Sequence, residues 1–164
     1  MSGDLPHVDP LTPAEEAAWR ALARAALIIP RLLDADLRSA EGLNVTEYNV
    51  LMNLSEVPDR ALRMTELANY VSVTVSGLTR VIERLSRDGL VTRVRSDTDG
   101  RGQLAVLTDA GLRRLEQVWP THLASVRRHV MDHLHGIDLA PFTAALAAIA
   151  SAEMGPPARR APSP

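Results

Sequence analysis

The hydrophobic rhythm of the chain changes at Gly89. Before it, Val75, Leu78, Ile82 and Leu85 recur at helical spacing and share one face; after it, residues 90–95 (LVTRVR) and 104–107 (LAVL) read as extended chain around a polar run at 96–102. A glycine that closes a helix and feeds a β-hairpin with a polar tip leaves few architectures open. Upstream, residues 65–70 (TELANY) form a short helix only a few residues before the helix that ends near Asp88, the tight pairing of a helix-turn-helix. The expected fold is mainly α with a small β-hairpin wing: a winged helix-turn-helix over about residues 44–107.

Long helices flank this unit. Thr12, Pro13 and Glu15 form a capping-box start, and Trp19, Leu22, Ala26, Ile29, Leu33 and Leu37 follow at a period near 3.6, with a kink expected at Pro30. Gly42 ends that helix, and Asn44 with Glu47 opens the next, which carries Tyr48, Val50, Leu51 and Leu54. From Thr108 a helix holds Leu112, Leu115 and Val118, bends near Pro120 and is expected to continue through Leu123, Val126, Val130 and Leu134. Asp138 caps a last helix with Leu139, Phe142, Leu146 and Ile149. The 164 residues suit one domain over 11–154, with flanking helices at about 11–40 and 108–154. Flexible arms are expected at 1–10 and at the Pro-rich 155–164.

Composition narrows the function classes. The absence of Cys removes disulfides, thiolate metal sites and thiol sensing, and aromatics at 3% disfavour stacking on single-stranded bases. No apolar run is long enough to span a membrane and the first ten residues lack a secretory pattern, so a soluble cytoplasmic protein is expected. No nucleophile elbow, metalloprotease helix, phosphate-cradling loop or dinucleotide fingerprint occurs, so neither an enzyme nor a cofactor is expected. The net charge is only −2, yet residues 60–101 hold eight Arg against five acids, a local excess of three positive charges.

That excess lies on the motif. On the helix after the turn, the side away from the core carries Ser76, Gly77, Arg80, Arg84 and Arg87, small residues that permit close approach beside guanidinium groups that reach base edges or phosphates. Ser72 and Thr74 stand at its N-terminus, where free amides favour a phosphate. At the hairpin tip Asp99 can hold the stem of Arg101 while its guanidinium enters a minor groove. The bland alternatives are a solvated helix face and a hairpin salt bridge. Double-stranded DNA is the expected partner.

The stretch MTELANYVSVTVSGLTRVIERLSRDGLVTRVRSDTDGRGQLAVLTDAG resembles the winged-helix core of the MarR (multiple antibiotic resistance regulator) family, with LTR, GLV, the D-x-R wing and LT-x-AG in the same order and spacing. The likeness extends over about residues 11–153. It implies a homodimer joined through the first and last helices, a ligand-responsive repressor on a palindromic site, with Ser72, Thr74, Ser76 and Arg80 in the recognition segment and Asp99 and Arg101 in the wing. Pro30 and Gly77 depart from the family pattern. The resemblance also implies a pocket for a small aromatic or lipophilic ligand, for which Trp19, Tyr48, Met52 and Met64 are candidates against the plainer reading of core residues. His129 and His133, one helical turn apart, offer a zinc-responsive alternative, against the favoured plainer reading of surface histidines on an amphipathic helix. A winged-helix module for protein contacts is the other alternative.

Overall fold

The computed structural model describes residues 9–95 and 103–151. The expected hairpin tip with Asp99 and Arg101, and most of both expected arms, lie outside the described residues.

Helix α1 (Pro13–Glu41) begins where the Thr12 hydroxyl accepts the Glu15 amide and the Glu15 carboxylate accepts the Thr12 amide at 2.8 Å, the reciprocal cap that the sequence suggests. It runs without a break through Pro30, whose ring is exposed, and stops at Gly42 in the left-handed region, φ 68°. Helix α2 (Val45–Ser55) has its own capping box between Asn44 and Glu47. A short 3₁₀ turn at Pro58–Arg60 leads into a strand absent from the sequence reading, β1 (Ala61–Arg63). Helices α3 (Met64–Tyr70) and α4 (Val75–Arg87) follow, then strands β2 (Val91–Arg95) and β3 (Gln103–Leu107). The sheet is antiparallel with β3 central: Ala61 pairs with Val106 on one side, and Val91 with Leu107 on the other.

The core lies inside this lobe. Tyr48, Leu51, Leu54, Leu67, Leu78, Ile82 and Leu85 have no solvent exposure, and Leu37 from the end of α1 and Val118 from α5 (Asp109–His129) close it from the flank. Each such aliphatic side chain contributes on the order of 1.5–3 kcal/mol by leaving water. Val75 departs from the expectation that it faces this core: it is exposed in the first turn of α4, and the buried row begins at Leu78 and continues through Ile82 and Leu85.

Helix α5 starts at the Thr108 cap, whose hydroxyl also donates to the Gly89 carbonyl at 2.8 Å and so fastens helix to wing stem. There Gly111 passes so close to the sheet that an added Cβ would stand 2.1 Å from the Leu90 carbonyl oxygen. The helix crosses α1 through two polar clusters. Glu41 accepts from Arg114 at 3.1 Å and Thr121 at 2.7 Å, and Asp36 accepts from buried Ser125 at 2.6 Å with His129 Nε2 at 3.0 Å. The continuation through Val130 and Leu134 is not found. Val130 leaves helical geometry (φ −131°, ψ −65°), a 3₁₀ turn takes Met131–His133, and α6 (Leu139–Ser151) begins beyond Asp138, whose carboxylate caps the Ala140 amide at 3.0 Å.

Outside the lobe the apolar residues have little to pack on. Trp19, Leu22, Leu27, Ile28 and Leu32 of α1 are exposed, as are Trp119 and Leu123 of α5, and α6 has no buried residue at all. Among the described residues no helix is long and apolar enough to cross a membrane.

Candidate nucleic-acid interface

The turn between α3 and α4 sets the geometry of the site. Its backbone folds back on α3 through Val71 N to Leu67 O and Val73 N to Ala68 O, both 3.0 Å, while Ser72 takes a positive φ of 54°, a conformation costly for a residue with a Cβ. Thr74 then caps α4, accepting the Gly77 amide at 3.1 Å with Ser76 Oγ also at 3.1 Å. The cap uses the Thr74 hydroxyl as an acceptor and leaves the first amides of α4 pointing outward.

With Leu78, Ile82 and Leu85 fixed inward, helical geometry turns Ser76, Arg80 and Arg87 to solvent, with Gly77 half-buried between them. Arg80 and Arg87 have no ion-pair or hydrogen-bond partner among the described residues, and the same holds for Arg95 near the end of β2. The other cations of this surface are tied internally. Arg60 reaches the Asp109 carboxylate at 2.9 Å, and Arg93 donates to the Thr79 carbonyl at 3.0 Å with Glu83 at 3.8 Å. Arg84, expected to face DNA, directs its guanidinium to the body of the lobe: Nε lies 3.1 Å from Glu47 Oε1, and Nη2 donates to the Gly42 carbonyl at 3.2 Å. Glu47 is 1% exposed, so its charge rests on Arg84 and on the Asn44 amide that it caps at 2.9 Å.

A cleft of about 400 Å³ separates α4 from the wing stem, lined by Glu83, Ser86, Arg87, Val91, Thr92 and Arg93. Arg93 bridges it, joining β2 to α4 through the Thr79 carbonyl.

Among the described residues the four candidate ligand residues stand in different settings. Trp19 is exposed on α1 beside Pro10, Leu11 and Glu16; Met64 is core; Met52 packs half-buried against the core. Only Tyr48 has a chemically suggestive neighbour, one the sequence reading passed over. Its ring stacks on His122 of α5 with centroids 4.1 Å apart, and Trp119 stands 6.3 Å from the same imidazole. The Tyr48 hydroxyl and His122 Nδ1 are buried with no hydrogen-bond partner among the described residues. Burial pushes the Tyr48 phenol up to about 12, helped by the Glu56 charge, and holds the His122 imidazole below its ordinary value. The histidine pair of the zinc alternative is separated: His129 ends α5 against Asp36, and His133 lies on the following turn. Among the described residues no three His, Asp or Glu side chains gather as a metal site.

Comparison with known proteins places this geometry. Residues 41–102 match the model of the MarR family. The chain is 34% identical to Sco3205, a MarR family transcriptional regulator from Streptomyces coelicolor whose crystal structure is in complex with DNA, over 93% of this chain and 95% of that one, with a TM-score of 0.81. It is 37% identical to AbsC, a MarR family transcriptional regulator from the same organism, over 88% and 97% of the two chains, with a TM-score of 0.78. Among curated proteins it is 35% identical over 88 residues to the HTH-type transcriptional repressor YetL of Bacillus subtilis (strain 168), covering 54% of this chain. The chain spans about half the length of the curated relatives it matches, 53% in the case of YetL.

Proposed function

The chain belongs to the MarR family, and from that premise we propose that it is a sequence-specific regulator of transcription: a ligand-responsive repressor, not an enzyme, that binds a palindromic double-stranded DNA operator as a homodimer in the cytoplasm. The observation that supports this most is the division of α4 into a row sealed in the core and an opposite side where Ser76, Arg80 and Arg87 are open beside half-buried Gly77, with Arg80 and Arg87 unpartnered among the described residues. A free guanidinium next to small side chains suits guanine edges and phosphates of a major groove. Ser72 and Thr74 border the same end of the helix, and the wing residues Asp99 and Arg101 are proposed to serve the neighbouring minor groove.

The homodimer is supported by what the lobe does not cover. The apolar residues of α1 and the whole of α6 need a partner, and a second copy of the same helices supplies one by twofold symmetry. Two recognition helices on one side of a duplex read half-sites about one helical turn apart, roughly 34–36 Å. Ligand response is assigned to the α2–α5 junction, where the unpartnered Tyr48 hydroxyl and His122 Nδ1 would suit a small aromatic or lipophilic effector that favours a differently spaced dimer.

The test is genome-wide footprinting of bound DNA, followed by titration of the recovered duplex across salt. A palindromic fragment bound with a steep log-log salt dependence is expected, and Arg101→Ala is expected to weaken it by about 1–3 kcal/mol with dimerisation intact. Indifference to every duplex, or binding that acidic proteins compete away and DNA does not, would leave a protein-contact module in its place.

A further inference from the structure

The α3–α4 turn anchors the leading end of the recognition helix, and a different contact holds its trailing end. Arg84 lies in the last turn of α4, where its guanidinium meets acceptors from two separate elements: the Gly42 carbonyl that closes α1, and the Glu47 carboxylate in the first turn of α2. We propose that Arg84 is a positioning residue that sets the angle at which the recognition helix stands out from the α1–α2 corner, and that it acts through Glu47 and Gly42 instead of through a phosphate. The inference rests on the DNA-binding reading above.

Three features of the contact support it. First, Glu47 cannot follow DNA: its carboxylate is buried, its other oxygen caps the Asn44 amide at 2.9 Å, and release of Arg84 would strand a buried charge. Second, the two-acceptor geometry suits the planar fork of an arginine, which fixes direction as well as distance. Third, Arg84 is eight residues beyond Ser76, about 12 Å along the helix axis, so a small change at the clamp swings the reading end across a base step. The reference point is itself held. Glu41, next to Gly42, is bound by Arg114 and Thr121 of α5, so the angle of α4 is set against the long helix that leads out of the lobe. Arg80 and Arg87 on the same helix have no such partners among the described residues.

The sign of one substitution separates positioning from phosphate contact. Glu47→Gln removes a negative charge from a DNA-binding lobe and frees Arg84; if Arg84 served phosphates, affinity would hold or rise. Gln keeps the capping box, since it serves at that position as Glu does. Titrations of the full-length protein with its operator, and with a scrambled duplex of equal length, are run across salt for the parent, Glu47→Gln, Arg84→Met and Arg84→Lys. Expected for both Glu47→Gln and Arg84→Met is about a tenfold loss on the operator, ~1.4 kcal/mol, with the scrambled duplex and the salt slope unchanged and with partial recovery in Arg84→Lys. Operator affinity that is kept or raised in Glu47→Gln, with a salt slope reduced by about one in Arg84→Met, would overturn the proposal in favour of a phosphate contact. Equal losses on both duplexes would overturn it too, by reducing the clamp to a stabiliser of the fold. A parent that binds no duplex fails earlier, at the DNA-binding reading. Should Arg84→Met not fold, Glu47→Gln decides alone.

Discussion

The lobe of residues 43–118 and the helices that flank it both carry amphipathic, leucine-bearing helices, yet among the described residues only the lobe satisfies itself. Leu51, Leu54, Leu67, Leu78, Ile82 and Leu85 are sealed within a single chain, whereas Trp19, Leu27, Leu139, Leu146 and Ile149 face outward. Amphipathic pattern alone therefore does not say what a helix packs against. In the lobe the apolar stripes converge because a tight turn and a three-stranded sheet bring them together; in the flanks α1 and α5 meet through polar clusters and leave much of their apolar surface exposed.

Breaking the join between the two regions is expected to have the largest effect. Gly111→Ala places a Cβ 2.1 Å from the Leu90 carbonyl and 2.6 Å from Leu107 Cδ1, both parts of the packed stem, so α5 must shift or the lobe must open. A loss of about 3 kcal/mol or more in unfolding free energy is expected from such overpacking, measured by denaturant titration; a parent-like midpoint would show that the contact is soft. The second test acts on the flanks alone. Leu27→Asp, at a side chain 66% exposed in the single chain, is expected to weaken self-association by about 2 kcal/mol or more if a second copy covers it. Sedimentation should then show monomers whose far-ultraviolet signal retains the folded lobe, and an unchanged dimer would place the interface elsewhere.

A smaller effect sharpens the comparison at the seam. Burial holds the His122 imidazole below its ordinary 6.5, so the folded state refuses a proton that the unfolded chain accepts. Stability is therefore expected to fall as pH drops below about 6.5, until the folded-state value is reached, and His122→Gln should flatten that part of the profile. Farther down, Asp36 and Glu41 contribute in the same direction. The Ser125 hydroxyl donating to Asp36, and the Thr121 hydroxyl donating to Glu41, keep both carboxyls below the usual range, so stability is lost as pH falls through their folded values. Thermal melts between pH 7.5 and 5 read the histidine segment; a slope that survives His122→Gln would assign it to another group.

Much of the fold was legible because its punctuation is local. Thr12 with Glu15, Asn44 with Glu47, Gly42, Gly89 and Asp138 each begin or end a helix through neighbours within four residues. Strand β1 was not legible: three residues are too few to show an alternation, and Ala61–Arg63 is extended only because β3 lies beside it. The end of α5 escaped for the opposite reason, since Val130 carries no glycine or proline to announce it. At the candidate site, periodicity found the outward side of α4 but could not sort its cations. Arg84 finds its acceptor 42 residues away in Gly42, and Arg60 its own 49 residues away in Asp109; such pairings exist only after folding. Sequence gave the charge, and tertiary structure decided which charges remain available.

Helix α6, thirteen residues without one buried in the single chain, bears on dosage. A segment that is covered only on assembly makes the folded state subject to mass action, so dilution loosens it and abundance tightens it. For the proposed dimeric regulator this would tie function to copy number: with few molecules present, persistence and occupancy of paired half-sites would decline together.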